Sequence, residues 1–200
     1  MKSLLTRTFS VAVLALVGLT ASAGAQAQSK TDYSLYGPGN TYVGLNIGRS
    51  DFAMNTGFGG FPSDKRDTVY NIYSGTFFSP NFGLELGYTQ FGKISRAGGT
   101  TKAEGINLSL VGKAPLGSSP VNLLGKLGTT YGRTDVSAAP LSGISSGRET
   151  GFGVSYGLGA EYVFSPQISA VVQYDEHKLR FVNAGRDRVG AATLGLRYRF

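Results

Sequence analysis

Apolar and polar side chains take turns along most of this chain. The alternation is cleanest over 149–164. There Phe152, Val154, Tyr156, Leu158, Ala160, Tyr162 and Phe164 share one face, and Gly151, Gly153, Ser155, Gly157, Gly159 and Glu161 share the other. A period of two places successive side chains on opposite sides of an extended backbone, so the stretch predicts a strand. Seven more stretches read the same way: 41–49, 68–78, 82–92, 104–113, 121–132, 168–177 and 189–200. Their apolar faces carry Val43, Leu45 and Ile47; Leu84, Leu86 and Tyr88; Ile106, Leu108 and Leu110; Leu123, Leu127 and Tyr131; and Val172 and Tyr174. Over 68–78 both faces carry aromatics, and Tyr70, Ile72 and Thr76 are assigned to the apolar side.

The connections alternate in length. Ser79-Pro80-Asn81, 114–120 and Ser165-Pro166-Gln167 read as tight turns, whereas 50–67, 93–103, 133–148 and 178–188 read as long loops. An even number of short strands, with loops on one side and turns on the other, predicts an all-β fold: an eight-stranded antiparallel up-and-down transmembrane β-barrel. A soluble eight-stranded barrel would turn its apolar face inward. Here the second face is mostly Gly, Ser, Thr and Asn with single charges, which would line a narrow hydrated or ion-paired interior and make a poor apolar pocket. The last strand agrees. Leu194, Leu196, Tyr198 and Phe200 share its apolar face, and the sequence ends on an aromatic. An aromatic pair at the end of a lipid-facing strand fits an interfacial girdle.

The first residues add a compartment. Lys2 and Arg7 precede an apolar run over 9–19, then Ala21-Ser22-Ala23-Gly24-Ala25-Gln26-Ala27. This charged, apolar, small-residue order predicts a secretory signal over 1–27, a polar periplasmic lead over 28–40, and a barrel domain over 41–200. Of the 19 Lys+Arg, Lys2 and Arg7 fall in the signal, leaving 17 against 12 Asp+Glu, or +5. A secreted chain has little access to nucleic acid, so none is expected as a partner. Outer-membrane lipids and phosphate-bearing lipopolysaccharide are the acidic neighbours expected at a cell surface. With no cysteine there is no disulfide or thiol chemistry.

Gly83-Leu84-Glu85-Leu86-Gly87-Tyr88, the stretch 157–174 with Ser-Pro at its centre, and Leu194-Gly195-Leu196-Arg197-Tyr198-Arg199-Phe200 resemble the small OmpA-like and OmpX-like outer-membrane barrels. The resemblance implies periplasmic termini, delivery by the barrel assembly machinery through a closing strand that carries Leu196, Tyr198 and Phe200, and a cluster of charges inside the barrel. Glu85, Lys126 and Glu161 fall at matching places, with Lys113 nearby. The arginine of the family's seventh strand is replaced by apolar or small residues around Val171, with Arg197 or Arg199 as the substitute. The periplasmic domain that follows the barrel in OmpA is not expected after Phe200, so cell-wall anchoring does not carry over.

Candidate chemistry is sparse. His177 is the single histidine, in Tyr174-Asp175-Glu176-His177-Lys178. Lipid A deacylase barrels place a serine two residues after their histidine, and here that position is Leu179. His177 therefore reads as a loop-edge residue, and no catalytic residue is assigned. One histidine without cysteine makes a metal site unsupported, and no cofactor is expected. The glycines of 57–61 precede no helix, so they form no phosphate cradle. The inward charges Glu85, Lys113, Lys126, Glu161 and Arg197 read as an ion-pair network filling the lumen, with Lys126 in reach of Glu161 and Glu85 beside Lys113. The other reading is the lining of a pore. Lys93, Arg96, Lys102, Lys178, Arg180, Arg186 and Arg188 are loop candidates for contact with lipopolysaccharide or an acidic external ligand. The chain thus reads as a structural and interactive outer-membrane barrel without catalysis. The alternatives are a narrow channel for small solutes and a lipid-modifying enzyme. No oligomeric state is predicted.

Overall fold

A computed structural model describes residues 39–52, 66–96, 99–138, 147–181 and 185–200. The proposed signal, all but the end of the lead, and the centres of the four loops lie outside them. The described residues form β1 (Thr41–Phe52), β2 (Arg66–Phe77), β3 (Phe82–Arg96), β4 (Gly99–Pro115), β5 (Val121–Ala138), β6 (Gly147–Val163), β7 (Ile168–Phe181) and β8 (Gly185–Arg199). Each strand pairs with the next in antiparallel fashion, and β8 returns to β1 through rungs running from Tyr42–Arg199 to Phe52–Val189. The sheet is therefore a closed barrel, which leaves no edge along its length.

The three short turns form as the sequence predicts. Phe78 N and Ser79 N donate to Phe82 O, and the Ser79 hydroxyl accepts from Phe82 N at 2.9 Å. Ser165 repeats this on Ile168 N at 3.0 Å. In both turns a serine before proline supplies the acceptor that the tight reversal needs. At the same end of the barrel Gly39 N donates to Phe200 O, and Phe200 N to Thr41 O.

The opposite end corrects the predicted loops. Lys93, Arg96 and Lys102 lie on β3 and β4, which pair up to Arg96–Gly99. Lys178, Arg180, Arg186 and Arg188 lie on β7 and β8, paired up to Phe181–Gly185. Likewise β5 and β6 pair up to Val136–Gly147. Two causes hid these extensions. Above the lipid level the outer face turns polar, so alternation no longer distinguishes strand from loop. A β-bulge between Gln90 and Gly92 also shifts the phase of β3 by one residue. Gly92 takes φ +85°, where a side chain would be strained. Asp67 closes the bulge by accepting from Lys93 N at 2.5 Å.

The faces follow the sequence pattern. Leu158 is 76% exposed and Phe152 65%, on the outer surface. The other face is buried in the lumen, including Asn46, Glu85, Thr130, Glu161 and Arg197. Outward leucines would be unfavourable against water and are favourable against hydrocarbon.

Candidate functional site

The lumen near the short-turn end holds four of the five predicted charges in one chain of contacts. Lys126 Nζ lies 2.6 Å from Glu85 Oε1. Arg197 spans the two acids: its Nη2 is 3.6 Å from Glu85 Oε2 and its Nη1 3.2 Å from Glu161 Oε1. Arg199 Nη2 also pairs with Glu161. Lys113 stands apart, with its ammonium 4.4 Å from the centre of the Phe77 ring.

The pairing differs from the expected one. Lys126 meets Glu85, not Glu161, and Glu85 does not meet Lys113. Register explains this. The rung of Lys126 on β6 is Gly157, four residues from Glu161. In the other direction Glu85 is opposite Ser109, and Ser109 opposite Gly128, two residues from Lys126. Ser109 and Gly128 are small, so the lysine reaches across them. Arg197 is seated the same way, between Gly44 on β1 and Ser169 on β7. A Cβ at Gly44 would fall on the Tyr73 ring, so glycine there lets Tyr73 lie flat inside the wall. The guanidinium carbon then sits 4.1 Å from the Tyr42 ring centre and 5.4 Å from that of Tyr73. Stacked cations of this kind gain from the ring quadrupole when removed from water.

Sequence reasoning missed the neutral partners. Tyr42 donates its hydroxyl to Glu85 Oε2 at 3.0 Å. Ser169 and Asn122 donate to Glu161 at 2.8 and 3.0 Å. Lys126 also donates to Gln173 Oε1 at 3.0 Å, and Gln173 Nε2 to Asp175 at 2.6 Å. One signal was present: Tyr42, Tyr73 and Phe77 are large aromatics on faces that otherwise carry Gly, Asn, Ser and the single Val69.

The interior was expected to be hydrated or ion-paired, but its opposite half holds an apolar cluster beside buried hydroxyls. Val69, Phe91, Ala103, Leu179, Val189 and Ala191 form a buried cluster. His177 belongs to this layer rather than to a loop edge. It is 4% exposed, its ring centre is 4.9 Å from that of Phe91, and its Nδ1 lies 2.8 Å from the Thr130 hydroxyl. The phase shift at the bulge and the misread loop hid this cluster. Among the described residues no group of three His, Asp or Glu side chains is arranged to hold a metal ion.

The basic residues near the loop end are distributed unevenly. Lys93 faces Lys102, and Lys102 also faces Asp135. Asp135 accepts from Arg133 Nε at 3.1 Å and Arg148 Nε at 2.5 Å. On the far side Lys178 faces Arg188 and Arg180 faces Arg186. Glu176 takes the Tyr156 hydroxyl and lies 3.7 Å from Arg188.

A closed eight-stranded barrel with outward leucines has counterparts among known proteins. The outer membrane protein beta-barrel domain family matches residues 11–200. The chain belongs to that family. It is an outer-membrane protein, and its barrel crosses the membrane with strands. Solved relatives share the fold at low identity. Neisserial surface protein A superposes with a TM-score of 0.64 at 20% identity, covering 80% of this chain and 97% of its own. Ail of Yersinia pestis gives 0.50 at 22%, covering 80% and 99%. The N-terminal barrel domain of OprF from Pseudomonas aeruginosa gives 0.52 at 15%, covering 80% and 98%. No curated protein matches the chain.

Proposed function

We propose that this barrel is a structural and interaction protein of the outer membrane. Its lumen is closed, and its surface at the loop end contacts lipopolysaccharide or an external ligand. The signal over 1–27 directs it through the inner membrane, and the closing strand bearing Leu196, Tyr198 and Phe200 presents it to the assembly machinery. The observation that carries this reading is the double closure of the lumen. At one level the Lys126–Glu85–Arg197–Glu161 chain spans the interior, its members buried and hydrogen-bonded. At the other, Phe91, Leu179 and Val189, each 0% exposed, pack together with His177 beside them. Eight strands leave an interior just wide enough for such side chains. His177 faces Phe91 and Thr130 inside the wall, which supports a packing role over catalysis on an external substrate.

Conductance tests the reading against the channel alternative. The purified protein reconstituted in a planar bilayer is expected to give small, rare openings at most. A large, steady conductance would overturn it in favour of a solute channel.

A further inference from the structure

The short-turn mouth of the barrel carries more positive charge than its own acids neutralise. Lys113 on β4 and Arg199 on β8 both point into the lumen there, one against the Phe77 ring and the other against Glu161. Both stand level with a turn. Lys113 N donates to Asn81 O and Arg199 N to Gln167 O, each at 2.7 Å. Asn81 and Gln167 are the corresponding third residues of the two Ser-Pro turns. β4 and β8 lie half-way round the closed sheet from each other, so the two cations face across the opening. The opening is narrow enough for Lys113 to feel the repulsion of Arg199 more than the attraction of Glu161.

The acids at this end are fully engaged. Glu161 Oε1 accepts from Ser169 at 2.8 Å and from Arg197 at 3.2 Å, and also pairs with Arg199. Its Oε2 accepts from Asn122 at 3.0 Å. Glu85 is deeper and already matched by Lys126 at 2.6 Å, with Arg197 at a longer 3.6 Å. Asp175 is deeper still, held by Gln173. At the mouth, the three cations Lys113, Arg197 and Arg199 therefore stand against the one acid Glu161, an excess of two positive charges. Among the described residues Lys113 has no carboxylate of its own, and its ammonium sits 4.4 Å from the Phe77 ring centre. Arg199 gives Nη2 to Glu161, and a guanidinium has further donors to offer. Beneath them Tyr42, Phe77 and Val111 make an apolar floor.

We infer that this mouth binds a phosphate group, bridged between the Lys113 ammonium on one side and the Arg199 guanidinium on the other. A phosphate dianion matches the excess charge. Its oxygens accept charge-assisted hydrogen bonds from both directions at once, with the fork of the arginine suited to two of them. A carboxylate brings half the charge and fewer oxygens. In outer-membrane barrels the short turns face the periplasm, so the group enters from that side. It is either a free phosphate or the headgroup of an inner-leaflet phospholipid at the rim. The site lies at the end opposite the loops and does not depend on the contact proposed for them.

The test titrates inorganic phosphate into the whole protein in maltoside micelles, which contain no phosphate, and follows the phosphorus-31 line width. Saturable one-to-one binding is expected. Lys113→Gln is expected to weaken it about tenfold, the loss of one charge-assisted hydrogen bond. Lys113→Arg should restore most of it, and Lys178→Gln/Arg188→Gln, at the other end, should leave it unchanged. Heat-dependent gel migration confirms that each variant folds. Short-chain phosphatidylglycerol is then added to the micelles. Displacement of phosphate from the native protein, absent in Lys113→Gln, would assign the site to a lipid headgroup, and undisturbed phosphate binding would assign it to free phosphate. Native affinity in Lys113→Gln, or equal weakening in Lys178→Gln/Arg188→Gln, would show a general attraction of anions to a basic protein and overturn the site. Saturable binding of neither phosphate nor the lipid would overturn it as well.

Discussion

Arg197 and Lys126 show how a thin wall carries buried charge. Each sits beside residues too small to block it: Gly44 and Ser169 for the arginine, Ser109 and Gly128 for the lysine. Each meets a carboxylate that neutral donors also hold. A buried pair of this kind is strongly unfavourable to break, because the remaining charge stays buried without compensation. Lys126→Ala should destabilise the barrel by about 3–5 kcal/mol, less where lumenal water reaches Glu85. Adding Glu85→Gln should recover part of that loss. Urea unfolding of both variants in lipid vesicles checks this, and an unimproved double variant would show that the pair is not the unit. On the outer face the rule reverses. Leu158→Arg should destabilise by roughly 2–4 kcal/mol near the midplane, whereas Gln167→Arg, in the exposed turn before β7, should be nearly neutral. The same titration compares the two, and equal effects would contradict the assignment of faces.

At the scale of elements, β8 closes the sheet. Its outward Leu194, Leu196 and Tyr198 meet lipid, its inward Arg197 ties β8 to the acids of β3 and β6, and Phe200 hydrogen-bonds Gly39 and Thr41 at the beginning of β1. Deleting Phe200 should lower the amount of folded barrel in the outer membrane of cells, while any protein that does fold keeps its lumenal pairs. Quantifying the heat-modifiable band in membrane fractions measures this. Unchanged levels would remove Phe200 from the assembly signal. β3 and β7 show the complementary point: each departs from an ideal strand near the loop end. The bulge at Gly92 makes Phe91 an extra inward residue, and Thr134 on β5 holds the Arg180 carbonyl of β7 so that Leu179 packs against Gly132. Together these two irregularities build the apolar layer that stops the lumen.

For the whole molecule, closure of the sheet gives every described strand a neighbour on both sides. A sheet closed in this way leaves no end strand from which to peel, so it should resist unfolding in detergent. Unboiled protein from the outer-membrane fraction should migrate on a gel at a different apparent mass from boiled protein. Identical mobilities would argue against a stable closed barrel. The outer belt of exposed leucines and aromatics and the ion-paired lumen are two sides of one alternating pattern, because a single strand presents each face to a different solvent.

That pattern was legible in the residues themselves. A period of two, with leucine and tyrosine on one side and glycine and serine on the other, has one stable outcome when the apolar side must meet hydrocarbon: a closed barrel. Strand count, turn positions and the inward placement of Glu85, Lys126, Glu161 and Arg197 follow from it. The choice of partners does not, because strand tilt sets which inward residues share a height, and tilt belongs to the closed sheet. Lys126 therefore finds Glu85 two strands away rather than Glu161 on its neighbour. His177 and Phe91 meet only once the sheet has closed and brought β7 and β3 to one height across the lumen. The Thr134 hydroxyl on β5 likewise finds the Arg180 carbonyl on β7 only in the closed sheet, a contact between residues 46 positions apart in the chain.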